Sequence, residues 1–513
     1  MKRPLAVVGF TLMGTLTLLC ALKSIGAALL IGGISYVIFM TTSIVPQSRN
    51  RLTLPVIFFT VIIACLMFYC VQGNYEKLSD LADTDEVVLC RVEEKPVFSE
   101  TYGRYYCKAK VLKIGGEKYR GNIRLSFNTT YDNIDVGSFE IGNKLSFKGH
   151  LYNVGGENKG IVDYFKSENI YIGVYGIKDM SVLKPEVRPI GFYMESFREY
   201  IAKGFKDNFS RDTAGFLTAL LTGNKSHISD RIYSTFKNSG VSHIMAVSGM
   251  HLAVLAMFIG LFIRRLKEKH KVFYFVIMSL FALLVMFTAA FSSSVVRAGV
   301  MLFMILLGNL IDERSDSLNA LGLACICILT VNPFSALSVG FLLSAASTWA
   351  IIVFAAPFCN RYRYFIADRL GFSGRVSFPI ARAVMFCLVV SICVTVWTFP
   401  IQALNFGEVS LISPLTNLLF LPVTTLIICL AFLLAVLCSL GIMPAWLIFI
   451  IEKISGYCIG VAEIFGGDDK FILKVNTTTG MIFCCLVPFV SYLAIKAVTY
   501  LYKKYKNKKV RPL

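Results

Sequence analysis

The chain has 513 residues, of which 56% are hydrophobic and 16% charged, a balance that excludes an ordinary soluble globule and describes a polytopic α-helical membrane protein with length left over for a soluble domain. Its formal net charge of +19 does not by itself name an anionic partner, because cytoplasmic loops of membrane proteins carry an excess of lysine and arginine. The 15 cysteines lack zinc-site spacing, so neither a structural metal nor a metal cofactor is expected.

Lys2 and Arg3 precede an apolar run, 5–22, and two more follow at 25–45 and 52–71. No small-residue cleavage site marks the first run as a signal peptide, so 1–71 reads as an N-terminal membrane region of three spans. Placing the basic pairs inside puts the N-terminus in the cytoplasm and residue 72 outside.

From 72 to 189 long apolar runs give way to short alternating ones, such as 86–92, 105–112, 122–127, 144–148 and 170–175, separated by Gly and Asn. Period-two alternation is the signature of half-buried strands. About five strands in this length fit an extracytoplasmic OB-like barrel, and a sandwich nearly as well. Cys90 and Cys107 fall in neighbouring predicted strands, as a disulfide or as two buried free thiols. Between Arg104 and Arg124 run Lys108, Lys110, Lys113, Lys118 and Arg120, with Tyr102, Tyr105, Tyr106 and Tyr119 interleaved. Cations that track phosphates beside rings that stack on bases suit a sequence-tolerant single strand, with Tyr105, Tyr106, Lys108, Lys110, Arg120 and Arg124 as candidate contacts. A plain solvated strand pair has the same composition.

Residues 190–240 are less apolar. Phe197, Ile201, Phe205 and Phe209 recur every four residues, the pattern of an amphipathic helix at the membrane interface or capping the bundle. The hydrocarbon signal then returns through 241–502, in runs at 242–263, 273–291, 295–311, 318–332, 335–358, 376–400, 413–440, 444–466 and 480–502, about twelve segments in the whole chain, some of them broken or re-entrant. If each crosses once, the basic loops 264–271 and 361–369 and the basic tail 503–513 all fall on the cytoplasmic side, with both termini.

The stretch GVSHIMAVSGMH, Gly240 to His251, opens the first of these later runs. His243, Ser248 and His251 are polar groups at membrane depth, where the default reading is a site facing the bundle interior or a water-filled cavity; Gly249 permits close approach or a helix break. The alternative is polar glue between helices. Ser248 and His251 lie three apart, near enough to meet on a helix, but a serine hydrolase also needs an orienting carboxylate and an oxyanion hole, and no acid lies in the nearby apolar runs. Arg297, at the start of another run, is either a phosphate or carboxylate ligand or a snorkelling cation. Asn332-Pro333 breaks the chain, and Pro400, Gln402, Asn405, Pro414, Asn417 and Pro422 read as later interruptions, tolerated only where they line a cavity or are buried in protein. Gly223-Asn-Lys-Ser226 lacks the lysine placement of a phosphate loop, so no nucleotide motor is read here.

Taken together, GVSHIMAVSGMH, the preceding LLTGNKS of 220–226, Ser294-Val-Val-Arg-Ala298, the run 332–344 and the stretch from Pro400 to Asn417 resemble, in content and order, the ComEC family of DNA-uptake channels of competent bacteria. The resemblance covers essentially the whole chain. It implies a plasma-membrane channel that admits single-stranded DNA during natural transformation, with an OB-like domain outside and a helical channel domain. His243, Ser248, Gly249, His251, Arg297, Asn332 and Asn417 would then line or shape the path, with Asn417 in a broken helix. It also implies a DNA receptor outside, and a cytoplasmic motor or single-strand-binding proteins. Many relatives carry a metallo-β-lactamase-like domain whose His-rich signature is not found here, so no nuclease activity is expected of this polypeptide and a separate nuclease would act. The rival readings are a transporter of another anionic or polar solute and, behind it, the serine-type hydrolase.

Overall fold

The structure, a computed structural model, describes residues 3–22, 53–99, 102–129, 134–156, 158–360, 377–468 and 471–476. The expected spans at 25–45 and 480–502, the loop 361–369 and the tail 503–513 lie outside the described residues. Six described helices are long and apolar enough to cross a membrane: Pro55–Ser79, Lys271–Thr288, Ser293–Leu310, Val339–Asn360, Arg382–Phe406 and Ser413–Ser439. Pro4–Cys20, Gly249–Phe262 and Ser317–Val331 are shorter apolar helices. This is a membrane protein. It packs as two compact units, one of Met1–Tyr200 with Met286–Phe341, the other of Ile201–Val285 with Leu342–Leu513.

In the first unit, helices α1 (Pro4–Leu22) and α2 (Thr53–Ser79) lead into strands β1 (Asp85–Val92), β2 (Val97–Ser99), β3 (Arg104–Ile114), β4 (Asn122–Phe127), β5 (Lys144–Tyr152) and β6 (Ile170–Leu183), with helix α3 (Lys159–Ser167) between the last two. The sheet order is β1-β5-β6-β4-β3-β2, and a further β1–β3 pairing closes five of the strands into a barrel. All neighbours are antiparallel except β4 and β6. Its interior is filled by alternate residues, among them Val88, Val111, Ile123, Leu125, Phe127, Leu145, Phe147, Ile172 and Val174, as period-two side-chain direction requires. Cys90 and Cys107 also face this core, but as free thiols, not a disulfide. The register sets Cys90 opposite Val111 and Cys107 opposite Leu125, so the two are not cross-strand partners. Burial pushes the Cys90 thiol up to about 12.

The same unit holds helix α4 (Ile190–Lys206) up to Tyr200, then helices α5 (Ser293–Leu310) and α6 (Ser317–Val331) and the 3-10 turn Pro333–Leu337. Helices α1 and α6 cross so closely that Gly9 and Gly322 meet backbone to backbone, where any side chain would collide. Arg3 Nε reaches Asp316 at 2.9 Å at one end of this pair. At the other end the barrel is bolted on. Asn332 donates through Nδ2 to the Ser167 carbonyl at 2.8 Å and accepts the Phe334 N–H at 3.0 Å. Beside it, the Lys166 ammonium lies 3.6 Å from the centre of the Tyr75 ring, and Phe334 packs edge-on against both Phe68 and Tyr171.

The second unit contains helices α7 (Arg211–Thr222), α8 (Asp230–Asn238), α9 (Gly249–Phe262), α10 (Ser377–Phe406), α11 (Ser413–Ser439) and α12 (Ala445–Gly466), with the short strand pair β7 (Glu408–Ser410) and β8 (Ile472–Lys474). Phe216, Phe236 and Phe420, from α7, α8 and α11, form its aromatic centre at ring separations of 5.4 and 5.8 Å. Two expected interruptions are absent: α10 runs through Pro400 and α11 through Pro422. Gln402 donates to Thr398 Oγ1 and Asn405 to the Ile401 carbonyl, so both amides are satisfied within their own helix. The real breaks are at 239–248 and 407–412.

Candidate functional site

Two places gather chemistry. The first is the outer face of the barrel. Along β3 from Tyr105 to Val111 the odd positions point inward and the even ones outward, before a bulge against β1 reverses the faces at Lys113 and Ile114, so Tyr105 stacks on the core ring Phe127 at 5.6 Å while Tyr106 turns out. Register sets Tyr106 beside Ser126 and Lys108 beside Arg124, and sets Tyr152 on β5 beside Gly173 on β6. Gly173 is required there, because a side chain would run into the Tyr152 ring. Tyr175 lies 5.6 Å from Tyr152 and 4.9 Å from His150, whose Nδ1 meets Asp85 at 2.7 Å. Tyr102, Arg104, Tyr106, Ser126, Tyr152 and Tyr175 together line a cavity of about 250 Å³.

Arg124 is held flat at its edge, with Cζ 3.8 Å above the Tyr106 ring and 5.0 Å from Phe165 of α3. Such stacking orients a guanidinium and leaves its N–H edge for a partner. Lys108 behaves differently: its ammonium sits 3.5 Å from both Glu94 and Glu168. Burial alone would lower its pKa, but these carboxylates outweigh that and hold it above the ordinary lysine value. Its charge is therefore already matched within the chain. Lys110 and Arg120 are exposed. Of the six barrel contacts expected from sequence, then, Tyr106 and Arg124 meet at one site, Lys108 is ion-paired, and Tyr105 faces the core. Tyr152 and Tyr175 were missed because they arrive from distant strands; the alternation of residues 150–152 and 171–175 was the available signal.

The second place is the GVSHIMAVSGMH segment. The chain breaks after α8, and Gly240 takes φ +78°, where a side chain would also strike Ser413 and Ser410. Three successive carbonyls are then capped by hydroxyls from one stretch: Asn238 accepts from Ser410 at 2.9 Å, Ser239 from Thr416 at 2.8 Å and Gly240 from Ser413 at 3.2 Å. Val241, Ile244 and Met245 are fully buried, while His243 between them is exposed. Ser248 and His251 form a capping box at the start of α9, with the ring in the place usually taken by Glu or Gln. His251 Nδ1 accepts the Ser248 backbone N–H at 3.1 Å and lies 2.9 Å from Ser248 Oγ, which puts the ring proton on Nε2. Nε2 is buried and meets no hydrogen-bond partner among the described residues. Among the described residues no carboxylate orients this ring as a nucleophilic triad requires. Gly249 is the first residue of α9.

Of the other expected path residues, Asn417 lies one turn into the continuous α11, not in a broken helix, and donates to Ser413 Oγ at 3.3 Å. Arg297 is buried in α5, close to Cys325 of α6. Arg297 and Asn332 belong to the first unit, and His243, Ser248, Gly249, His251 and Asn417 to the second. Thr416, Ser413 and Ser410, which hold the break together, were not legible as a set; all that announced them was a Ser-Pro start to an apolar run.

Comparison with known protein families matches residues 220–501, more than half of the chain, to the Competence family, described as "Competence protein". The chain is 27% identical over 233 residues to ComE operon protein 3 of Bacillus subtilis, a match covering 45% of this chain and 27% of that protein. It is 24% identical over 278 residues to Recombination protein 2 of Haemophilus influenzae, covering 53% of this chain and 34% of that one. The matches thus span about a third or less of these relatives. No solved structure matches.

Proposed function

We propose, from the fact that this chain belongs to the Competence protein family, that it is a multi-pass plasma-membrane channel which passes single-stranded DNA into the cytoplasm during natural transformation. We read its barrel as OB-like, a reading supported by the strand order: numbered along the five closed strands, it is 1-2-3-5-4-1 with strands 3 and 5 parallel. In that reading it stands outside and meets DNA first, with both chain termini in the cytoplasm. The two relatives, named for a competence operon and for recombination, agree with a role in DNA uptake.

One observation carries the channel reading. Within an apolar helical unit the chain gives up α-helix at 239–248, keeping only the 3-10 turn Ser242–Met245, and such backbone is tolerated there only where protein buries it or a water-filled cavity receives it. Here Ser410, Ser413 and Thr416 satisfy the backbone, and His243 is left exposed among buried neighbours. This supports reading the segment as a polar constriction. The Ser248–His251 contact is read as a helix cap, with no covalent chemistry assigned to it. A DNA receptor outside and a cytoplasmic motor or single-strand-binding proteins complete the scheme. The test is a clean deletion in a competent strain: transformants should fall to background while DNA still binds the cell surface. Undiminished transformation would refute the proposal.

A further inference from the structure

Resting on the uptake reading above, we propose that the cavity lined by Tyr102, Arg104, Tyr106, Ser126, Tyr152 and Tyr175 receives one unpaired base of a single strand, with the adjoining phosphates on Arg104 and Arg124.

Size is the first argument. At about 250 Å³ the cavity lies just below the roughly 300–1,000 Å³ of sites for drug-sized ligands, which leaves room for a single flat ring system. Chemistry is the second. Four of its six lining residues are tyrosines, and Tyr102 and Tyr175 are 70% and 40% exposed. Rings of this kind stack on any base, but only on one whose face is free, and a duplex hides its base faces.

Charge is the third argument. A site made for the phosphate backbone alone would keep its cations unmatched. Here Lys108 is neutralised by Glu94 and Glu168, and Asp85 sits on His150 at the far rim. Arg104, exposed, and Arg124, braced on Tyr106, are the cations beside the rings. Stacking therefore adds to what these two cations contribute. The cavity is also built to keep its shape: Gly173 gives Tyr152 the space to lie flat against the strand.

The experiment uses the full-length protein in detergent and three labelled probes: a dT oligomer, an abasic strand of equal length, and a duplex. Wild-type protein should bind the dT strand clearly more tightly than the abasic strand or the duplex. Tyr102→Ala and Tyr175→Ala remove exposed rings and spare the core. Each should weaken dT binding by about 5- to 140-fold, the range to which about 1–3 kcal/mol per stacked base converts at 1.4 kcal/mol per tenfold, and leave abasic binding unchanged. Tyr175→Phe should retain binding. Equal affinity for dT and abasic strands, preference for the duplex, or unaltered dT binding by both alanine variants would overturn the pocket while leaving uptake untouched. Normal transformation by the deletion strain would overturn the uptake reading and leave the binding result standing.

Discussion

The barrel face and the break after α8 use similar side chains to opposite ends. On the barrel, rings and guanidinium groups turn outward and keep a free face or edge. At the break, three hydroxyls turn inward and are occupied by three backbone carbonyls of the same chain. The difference follows from where each lies. A strand already has its backbone paired, so its outward side chains are at liberty. A chain that abandons helix in an apolar surrounding must satisfy its own carbonyls first. Polar residues crowded around a break are thus weaker evidence of a ligand site than the same residues on a sheet.

The comparison can be broken most directly at Thr416. Thr416→Val keeps the shape and leaves the Ser239 carbonyl buried without its 2.8 Å donor. The expected loss is about 1–3 kcal/mol, read as a lower melting temperature of the purified protein, with Thr416→Ser restoring it. If the valine variant melts normally and yet fails in DNA uptake, the hydroxyl serves the strand and not the fold.

His251 offers a smaller and more discriminating change. His251→Ala removes the acceptor that caps α9 through the Ser248 N–H, which should cost about 0.5–2 kcal/mol. His251→Gln rebuilds a capping box of the ordinary kind, and should recover both stability and transformation. A hydrolase using Ser248 with this histidine would be equally dead in both variants, so recovery by glutamine separates the two roles.

How far the sequence could be read divides along the same line. The β domain and its strands were legible, because alternation is local and survives without knowledge of partners, but it leaves barrel and sandwich open, and Tyr105, expected with Tyr106 as a contact, faces the core. Tyr152 and Tyr175 were not legible, since register between distant strands assembles that face. Pro400 and Pro422 read as breaks but sit inside helices, because the structure absorbs the lost N–H within a continuous turn. Asn332 read as a path residue; its Nδ2 ties the barrel to the helices through Ser167, 165 positions away in the chain, while its Oδ1 caps the local Phe334 N–H. The motif's glycine at 249 was singled out, but the one that the fold requires is Gly240, whose close approach by Ser410 and Ser413 depends on a stretch some 170 residues on.

Lys108 sharpens the contrast from within the barrel, since it stands on the outer face and yet is occupied by its own chain. Replacing both partners, Glu94→Gln with Glu168→Gln, frees its charge without altering side-chain length. Each ion pair is partly open to solvent, with the carboxylates 63% and 46% exposed, so each contributes only about 0.2–1 kcal/mol. The released cation and the two deleted anions should tighten binding of a dT strand by less than about tenfold in low salt. The gain should fade as salt rises, because the Debye length shrinks from about 30 Å at 0.01 M to about 10 Å at 0.1 M. The same double substitution should leave the preference for dT over an abasic strand as it was, since a phosphate contact is common to both. A tighter grip that instead raised that preference would mean Lys108 reads bases, and the division drawn here between free and occupied groups would fail on the barrel itself.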